Sequence, residues 1–445
     1  MKKTIKLAVV AALALGATSA FATNGDVMIG QGAKSRAMGG VGIAKSFGAE
    51  SALVNPANIS STEDMEVTIS ATVFMPNVSF SSNAAANAQN GSTTSVNVQS
   101  ADSASNLSVI PEVYYTARLT DRLVTGIAIA GTAGMGVDYD GEAFGTASDN
   151  GAFRMKTALQ LLKVAVPVSY TVGGLTVGAA GVLQYGTLQM SHMAQNPNTG
   201  AYELLDNGAS SDTGYGVEVG ATYTAKGLTL GAVYKSAISM TYDNTISSSV
   251  TAFGGAAATG IGSGDTLEQP AERGVGISYE YAGSTISADY KNIAWGSATG
   301  YKDFGWEDQD VYAIGYEYAA NGWALRAGYN YAKSPIVEQD GNPLTAGQAA
   351  YGNAIKNFFN TDGFPGIVET HFTLGGGIAL GDFTIDGAFV YVPEVTASYN
   401  TTGMTAGFMA NATQPANPAN WDGSTSTADV THSQMGVTIA GTYKF

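Results

Sequence analysis

Trp323-Ala324-Leu325-Arg326-Ala327-Gly328-Tyr329-Asn330-Tyr331 sets apolar or aromatic residues at the odd positions and small or polar ones at the even positions. Successive side chains of a strand point to opposite sides, so this period of two predicts a strand with one apolar face. The same alternation runs through Phe383, Ile385, Phe389 and Tyr391 against Thr384 and Asp386. It returns in Tyr215, Val217, Val219, Ala221 and Tyr223 against Gly216, Glu218, Gly220 and Thr222. Strands of this kind build either a soluble β-sandwich or a membrane barrel with an apolar outside and a polar lumen.

The links between strands separate the two. Alternation places strands at 66–80, 108–119, 123–138, 154–170, 175–191, 214–224, 228–243, 271–281, 284–296, 310–319, 323–333, 367–380, 382–397 and 431–445. The tight links are Thr120-Asp121-Arg122, Val172-Gly173-Gly174, Ala225-Lys226-Gly227, Ala282-Gly283, Ala320-Asn321-Gly322 and Gly381. Long links start near Ser81, Tyr139, His192, Asn244, Ser297, Ser334 and Ser398, so short and long alternate throughout. Bacterial barrels have short periplasmic turns and long outer loops, whereas a sandwich has no reason for such alternation. Charged residues make up 13% of the chain, against roughly a quarter in an average soluble domain. The predicted class is therefore all-β: a 14-stranded antiparallel transmembrane β-barrel over 63–445.

At the N-terminus, Lys2, Lys3 and Lys6 precede an apolar run from Leu7 to Ala17 and then Ala20-Phe21-Ala22. This predicts a signal peptide over 1–22, cut before Thr23. Residues 23–62 do not alternate; they carry Gly30, Gly32, Gly39, Gly40, Gly42 and Gly48 and helix-like pieces at Ala33–Met38 and Ser51–Ile59. A fourteen-stranded barrel is too wide for wall side chains to fill, so this segment is expected to plug the lumen as a hatch of short helices, a free tail being the competing reading.

The final strand puts Val437, Ile439, Gly441, Tyr443 and Phe445 on one face and ends on the aromatic Phe445. That ending resembles the signal read by outer-membrane barrel assembly machinery. A net charge of -16 argues against nucleic acid. The chain has no cysteine, and His192, His371 and His432 stand apart, with no GxSxG, HExxH or P-loop. No enzyme, metal or cofactor is expected.

The run Gly30-Gln31-Gly32-Ala33-Lys34-Ser35-Arg36-Ala37-Met38-Gly39-Gly40-Val41-Gly42-Ile43-Ala44, with Asn55-Pro56-Ala57, resembles the hatch of FadL-type long-chain fatty acid and hydrocarbon transporters. Pro111-Glu112, the turn at Asp121, the Gly-rich third strand, Asp289-Tyr290-Lys291 before Trp295, and Ser334-Pro335 recur in similar order, so the resemblance covers essentially the whole mature chain. It implies passive uptake of long-chain fatty acids or other hydrophobic compounds at the Gram-negative outer membrane, among lipid and lipopolysaccharide, with sideways release. A general porin or a loop-displaying adhesin is the alternative.

The resemblance also assigns residues. Gly39, Gly40, Asn55, Pro56 and Ala57 would belong to the hatch, with Asn55 capping a short helix beside a lateral exit. That exit would lie at Gly131, Gly134 and Gly136, where simple barrel curvature is the other reading. Loops 192–213 and 244–270, with Met193, Leu204, Leu205 and Phe253, would hold a first ligand site. Tyr351, Ala354, Ile355, Phe358 and Phe359 follow helical spacing, which serves either ligand capture or packing between loops. The family's fatty acid members carry cations near the end of strand five and the start of strand ten. Here those stretches read Gln184-Tyr185-Gly186-Thr187-Leu188-Gln189 and Glu307-Asp308-Gln309-Asp310. Lys291 and Arg326 point inward by alternation and are the candidate lumen contacts, although pairing with Asp289 or Glu317 accounts for them equally well.

Overall fold

The computed structural model describes residues 23–86, 94–139, 154–195, 202–404 and 425–445. The expected signal peptide at 1–22 lies outside the described residues. Fourteen strands form the wall: β1 Met65–Ala86, β2 Ser108–Thr120, β3 Leu123–Asp138, β4 Met155–Val172, β5 Leu175–Gln195, β6 Ser210–Ala225 and β7 Leu228–Lys235. The circuit continues with β8 Glu272–Tyr281, β9 Ser284–Ile293, β10 Gln309–Ala320, β11 Trp323–Ala332, β12 Thr370–Leu380, β13 Phe383–Asn400 and β14 Thr427–Lys444. Each strand pairs antiparallel with the next, and β14 returns to β1 from Lys444 opposite Glu66 to Thr427 opposite Asn83. The barrel is closed, as the sequence predicts.

Alternation becomes geometry at the wall. Leu325 is 60% exposed while its neighbour Arg326 is 8% exposed, because one faces outward and the other faces the lumen. The short turns Lys226-Gly227, Ala282-Gly283 and Asn321-Gly322 have positive φ at both residues, the geometry whose twist matches a two-residue hairpin. Among the described residues no helix is long and apolar enough to cross a membrane; the chain crosses with strands.

The predicted strand 228–243 is two pieces. β7 ends at Lys235, and Ile238–Thr241 pairs instead with Thr266–Gln269 in a separate hairpin. That hairpin lies on the inner face of β6, where Ile238 sits against Gly214 and Gly216. Ile238 and Met240 keep the period of two while turning it onto another surface, so the pattern alone reads as one strand. Outer hairpins also extend β1 through Thr94–Asp102 and β5 through Tyr202–Asp206.

Inside the barrel the chain from Thr23 runs as a two-residue hairpin, Thr23–Asn24 with Val27–Met28, then helix α1 Gly32–Ala37 and 3-10 turns Gly48–Leu53 and Pro56–Ser61. Polar contacts tie this plug to the wall. The buried Arg36 guanidinium donates to both Glu112 oxygens and, at 2.8 Å, to Thr72 Oγ1. Asp289 accepts from the backbone N–H groups of Gly42 at 2.7 Å and Ile43 at 2.9 Å. Gly39 and Gly40 have φ of +71° and +84°, and a Cβ on Gly40 would stand 1.8 Å from the Ile29 carbonyl oxygen. Only glycine fits that turn.

Candidate transport path

Beneath the outer loops lies a pocket with about 370 Å³ of empty space, lined by Met135, Leu188, Met190, Ile246, Leu267, Tyr301, Phe304 and Trp306. The polar side chain of Asn360 in its wall is already engaged: it accepts from Trp306 Nε1 at 2.9 Å and donates to the Phe304 carbonyl at 2.7 Å. The pocket therefore offers little to a polar group.

Helix α2, Ala350–Phe358, stands behind this pocket. Ile355, Phe358 and Phe359 are buried, and Phe359 meets Phe304 and Phe253 edge to face at 5.7 and 5.5 Å. Tyr351 donates its hydroxyl hydrogen to the Phe253 carbonyl at 3.1 Å. Tyr351, Ile355, Phe358 and Phe359 thus pack loop on loop, one of the two alternatives left open by their spacing. Of the loop residues singled out by resemblance, Phe253 joins this cluster and Leu204 is exposed.

The turn Asn24–Val27 lies below. Gly25 sits against Trp295 and Trp306. Asp26 is fully buried, accepting from Gln269 Nε2 at 3.0 Å and from the Tyr301 hydroxyl. Burial pushes its carboxyl up to about 6, against the opposing effect of those two donors.

A second cavity, about 610 Å³ of empty space including a part open to solvent, continues beneath the turn. Val27, Met28, Ile43, Leu53, Thr132 and Ala133 give it an apolar side, while Lys163, Lys235, Lys291, Gln269 and Glu272 give it a polar one. Lys163 stands 3.6 Å from Glu218, and Lys235 stands 3.7 Å from Glu272 while donating to the Leu53 carbonyl at 2.9 Å. Among the described residues no carboxylate oxygen comes within 4.0 Å of Lys291 Nζ. Its neighbour Asp289 is occupied by the hatch backbone. The other candidate, Arg326, bonds Glu317 at 2.6 Å and Asp386 at 2.7 Å. These ion pairs account for its inward position, the alternative that alternation left open.

The cavity borders the strand that the glycine count marks. β2 and β3 pair from Thr120 opposite Leu123 to Glu112 opposite Ala130, and pairing then stops. Beyond it, Ser108–Pro111 bond only β1, while Gly131–Asp138 bond β4 with a register shift between Gly131 and Ala133. The missing neighbour of β3 is supplied by the hatch: Val27 lies opposite Ala133, and Gly134 N–H donates to the Asp26 carbonyl at 3.0 Å. Ala104 N–H meets the Asp138 carbonyl at 2.8 Å above the interruption. Gly131, Gly134 and Gly136 therefore line an unpaired stretch of wall.

Asn55-Pro56-Ala57 lies elsewhere. Asn55 caps its turn by accepting from Ala57 N–H at 3.1 Å, as expected, and donates to the Ile43 carbonyl at 2.8 Å. Asn55 and Pro56 rest on Gly178 of β5 and Gly220 of β6, two and three strands round the wall from β3. The hatch residues that bond the unpaired stretch of β3 are Asp26 and Val27. Sequence reading missed these, together with Lys163 and Lys235. Alternation alone gives Lys163 an inward direction, but its convergence with Lys235 and Lys291 needs the pairing of strands distant in sequence.

A closed fourteen-stranded barrel, plugged from within and holding an apolar pocket under its outer loops and a lysine-bearing cavity beneath it, defines a membrane transport channel. The sequence model of outer membrane protein transport proteins (OMPP1/FadL/TodX) matches residues 8–345, and the chain belongs to that family. Among solved structures, a FadL homologue of Pseudomonas aeruginosa is similar at TM-score 0.64 and 14% identity, covering 95% of this chain and 100% of the other. The Pseudomonas putida toluene transporter TodX is similar at TM-score 0.63 and 19% identity, with 95% and 100% covered. The Ralstonia pickettii toluene transporter TbuX gives TM-score 0.58 and 17% identity over 94% and 98%. No curated protein sequence matches significantly. The family places the chain in the outer membrane as a passive channel for hydrophobic compounds and not an enzyme, displacing the porin and adhesin alternatives.

Proposed function

We propose that this channel takes up long-chain fatty acids, receiving them in the apolar upper pocket and passing them to the lysine-bearing cavity. Release is then lateral, through the unpaired stretch between β2 and β3. The observation that carries the cargo is Lys291: a cation on the polar side of the lower cavity, with no carboxylate oxygen within 4.0 Å among the described residues. A hydrophobic carboxylate supplies what Lys291 lacks while its tail replaces water along Val27, Met28 and Ile43. The cavity's contact with Thr132 and Ala133 of β3 supports the lateral direction. An apolar molecule crosses lipid readily once it is shielded past the polar saccharide layer, so the bilayer itself is a sufficient acceptor.

A second reading is a neutral aromatic hydrocarbon. It is favoured by the Tyr301, Phe304 and Trp306 wall of the upper pocket and by the similar structures described as toluene transporters. Equilibrium binding of palmitate and of toluene to wild type and Lys291→Met separates the two. Losing a charged hydrogen bond costs about 1.5–3 kcal/mol, hence roughly ten- to hundred-fold in palmitate affinity. Toluene binding should not change. Equal palmitate binding by both proteins removes the fatty acid reading.

A further inference from the structure

The turn Asn24–Val27 separates the two cavities, and one residue in it, Asp26, makes three of the bonds that hold it. We propose that Asp26 is an acid-sensitive latch, which keeps the turn seated against β3 at low pH and lets it leave as the pH rises. The proposal rests on the reading that cargo passes from the upper to the lower cavity, but it concerns the turn and is tested without cargo.

Three contacts make the latch. Gln269 Nε2, on the inner hairpin, donates to Asp26 Oδ1 at 3.0 Å. The Tyr301 hydroxyl, on the loop between β9 and β10, donates to Oδ2. The backbone carbonyl of Asp26 accepts from Gly134 N–H at 3.0 Å on the open edge of β3. Tyr301 also lines the upper pocket, while Val27 and Met28 line the lower one. Asp26 thus touches both cavities and the interruption in the wall.

The groups facing it set the direction. Glu272 of β8 repels its negative form, Lys163 of β4 attracts it, and Tyr301 donates to it; Tyr242, just after the first strand of the inner hairpin, also lies within its field. The β3 residues beside it, Thr132, Ala133 and Gly134, carry no titratable group. Burial outweighs the two donors and raises the carboxyl from 3.8 to about 6. With the turn displaced into water, the carboxyl returns to the ordinary range near about 3.9. The seated state then binds the proton more tightly, so protonation favours seating. That advantage is present in acid and is lost as pH rises through about 6. A difference of about two pH units corresponds to roughly a hundred-fold change in the ratio of seated to displaced turns.

Trp295 and Trp306 press on Gly25, so they report the turn directly. In the full chain carrying W323F and W421F, these are the two remaining tryptophans of four. Acrylamide, uncharged at every pH used, is the probe. Quenching should rise with a midpoint near pH 6. Asp26→Asn should stay flat at the acid level, because an amide does not titrate. Tyr301→Phe removes a donor to the ionised form and should move the midpoint upward; this variant keeps its ring and serves as the test should Asp26→Asn fail to fold. A flat profile in the parent from about pH 4.5 to 8 overturns the proposal. So does a step that persists in Asp26→Asn, or a midpoint that Tyr301→Phe leaves in place. Failure to bind palmitate bears on the cargo alone.

Discussion

Replacing Arg36 with methionine should loosen the hatch without unfolding the barrel. Arg36 is 1% exposed and Glu112 is fully buried. The guanidinium donates twice to Glu112 and once to Thr72, while Ser70 supplies Glu112 with one further donor at 2.5 Å. Methionine fills similar space and leaves the carboxylate with Ser70 alone. Stranding one charge of a buried pair costs about 3–5 kcal/mol. Glu112 sits on β2, bonded to β1 and β3 in a ladder that does not depend on Arg36, so the loss falls on docking of the segment Ile29–Val41. Hydrogen exchange followed by mass spectrometry reads it directly. Amides of that segment should exchange roughly a hundred- to thousand-fold faster, with those of β9 to β12 unchanged. Arg36→Met combined with Glu112→Gln removes the stranded charge and should recover most of the protection. Exchange in Arg36→Met at the wild-type rate, or no recovery in the double variant, would refute the reasoning.

Three further outcomes follow from the same geometry. Gly136→Val places its Cβ 2.2 Å from the Thr157 carbonyl oxygen, a backbone atom that cannot step aside; uptake by cells should be lost while heat-modifiable migration still shows a folded barrel. Gly40→Ala meets both the left-handed φ, worth about 1–2 kcal/mol, and the Ile29 carbonyl; single-channel recording should show openings absent from wild type. Phe359→Ala empties the aromatic junction of the outer loops at about 3–5 kcal/mol, and should expose His192 and Phe253 to limited proteolysis of the loops that carry them.

The wall was legible because its information is local. Arg326 between Leu325 and Ala327 declares its direction from two neighbours, and Asn321-Gly322 declares its turn from two residues. The predicted strand 228–243 failed for the same reason: Ile238 and Met240 keep the local rule while serving a different sheet. Site chemistry depends on register between strands remote in sequence. Arg36 and Glu112 are 76 residues apart, and Lys163, Lys235 and Lys291 come from β4, β7 and β9. Nothing within any one segment shows that they meet. Resemblance located the hatch glycines and Asn55, but it did not show that Asn55 and Pro56 seat on β5 and β6. Its short motif carries the capping geometry and not the orientation of the plug.

The two ways past the hatch differ sharply in what they must break. Displacing the plug around α1 breaks at least eight hydrogen bonds: Arg36 to Thr72 and twice to Glu112, Gly42 and Ile43 to Asp289, Asn330 to Gly39, Gly39 to Thr373, and Thr373 to Ala37. At about 1 kcal/mol net each, that arrangement is open in roughly one molecule in a million. The turn at Asp26 breaks three, to Gln269, Tyr301 and Gly134. At the same rate the protonated, seated turn is displaced in roughly one molecule in a hundred to two hundred, and the roughly hundred-fold shift on ionisation brings the two states near parity. A passive channel has no energy source with which to pull a plug, so passage must use motions already populated at equilibrium. The expected moving part is therefore the turn, with the rest of the hatch acting as its fixed frame.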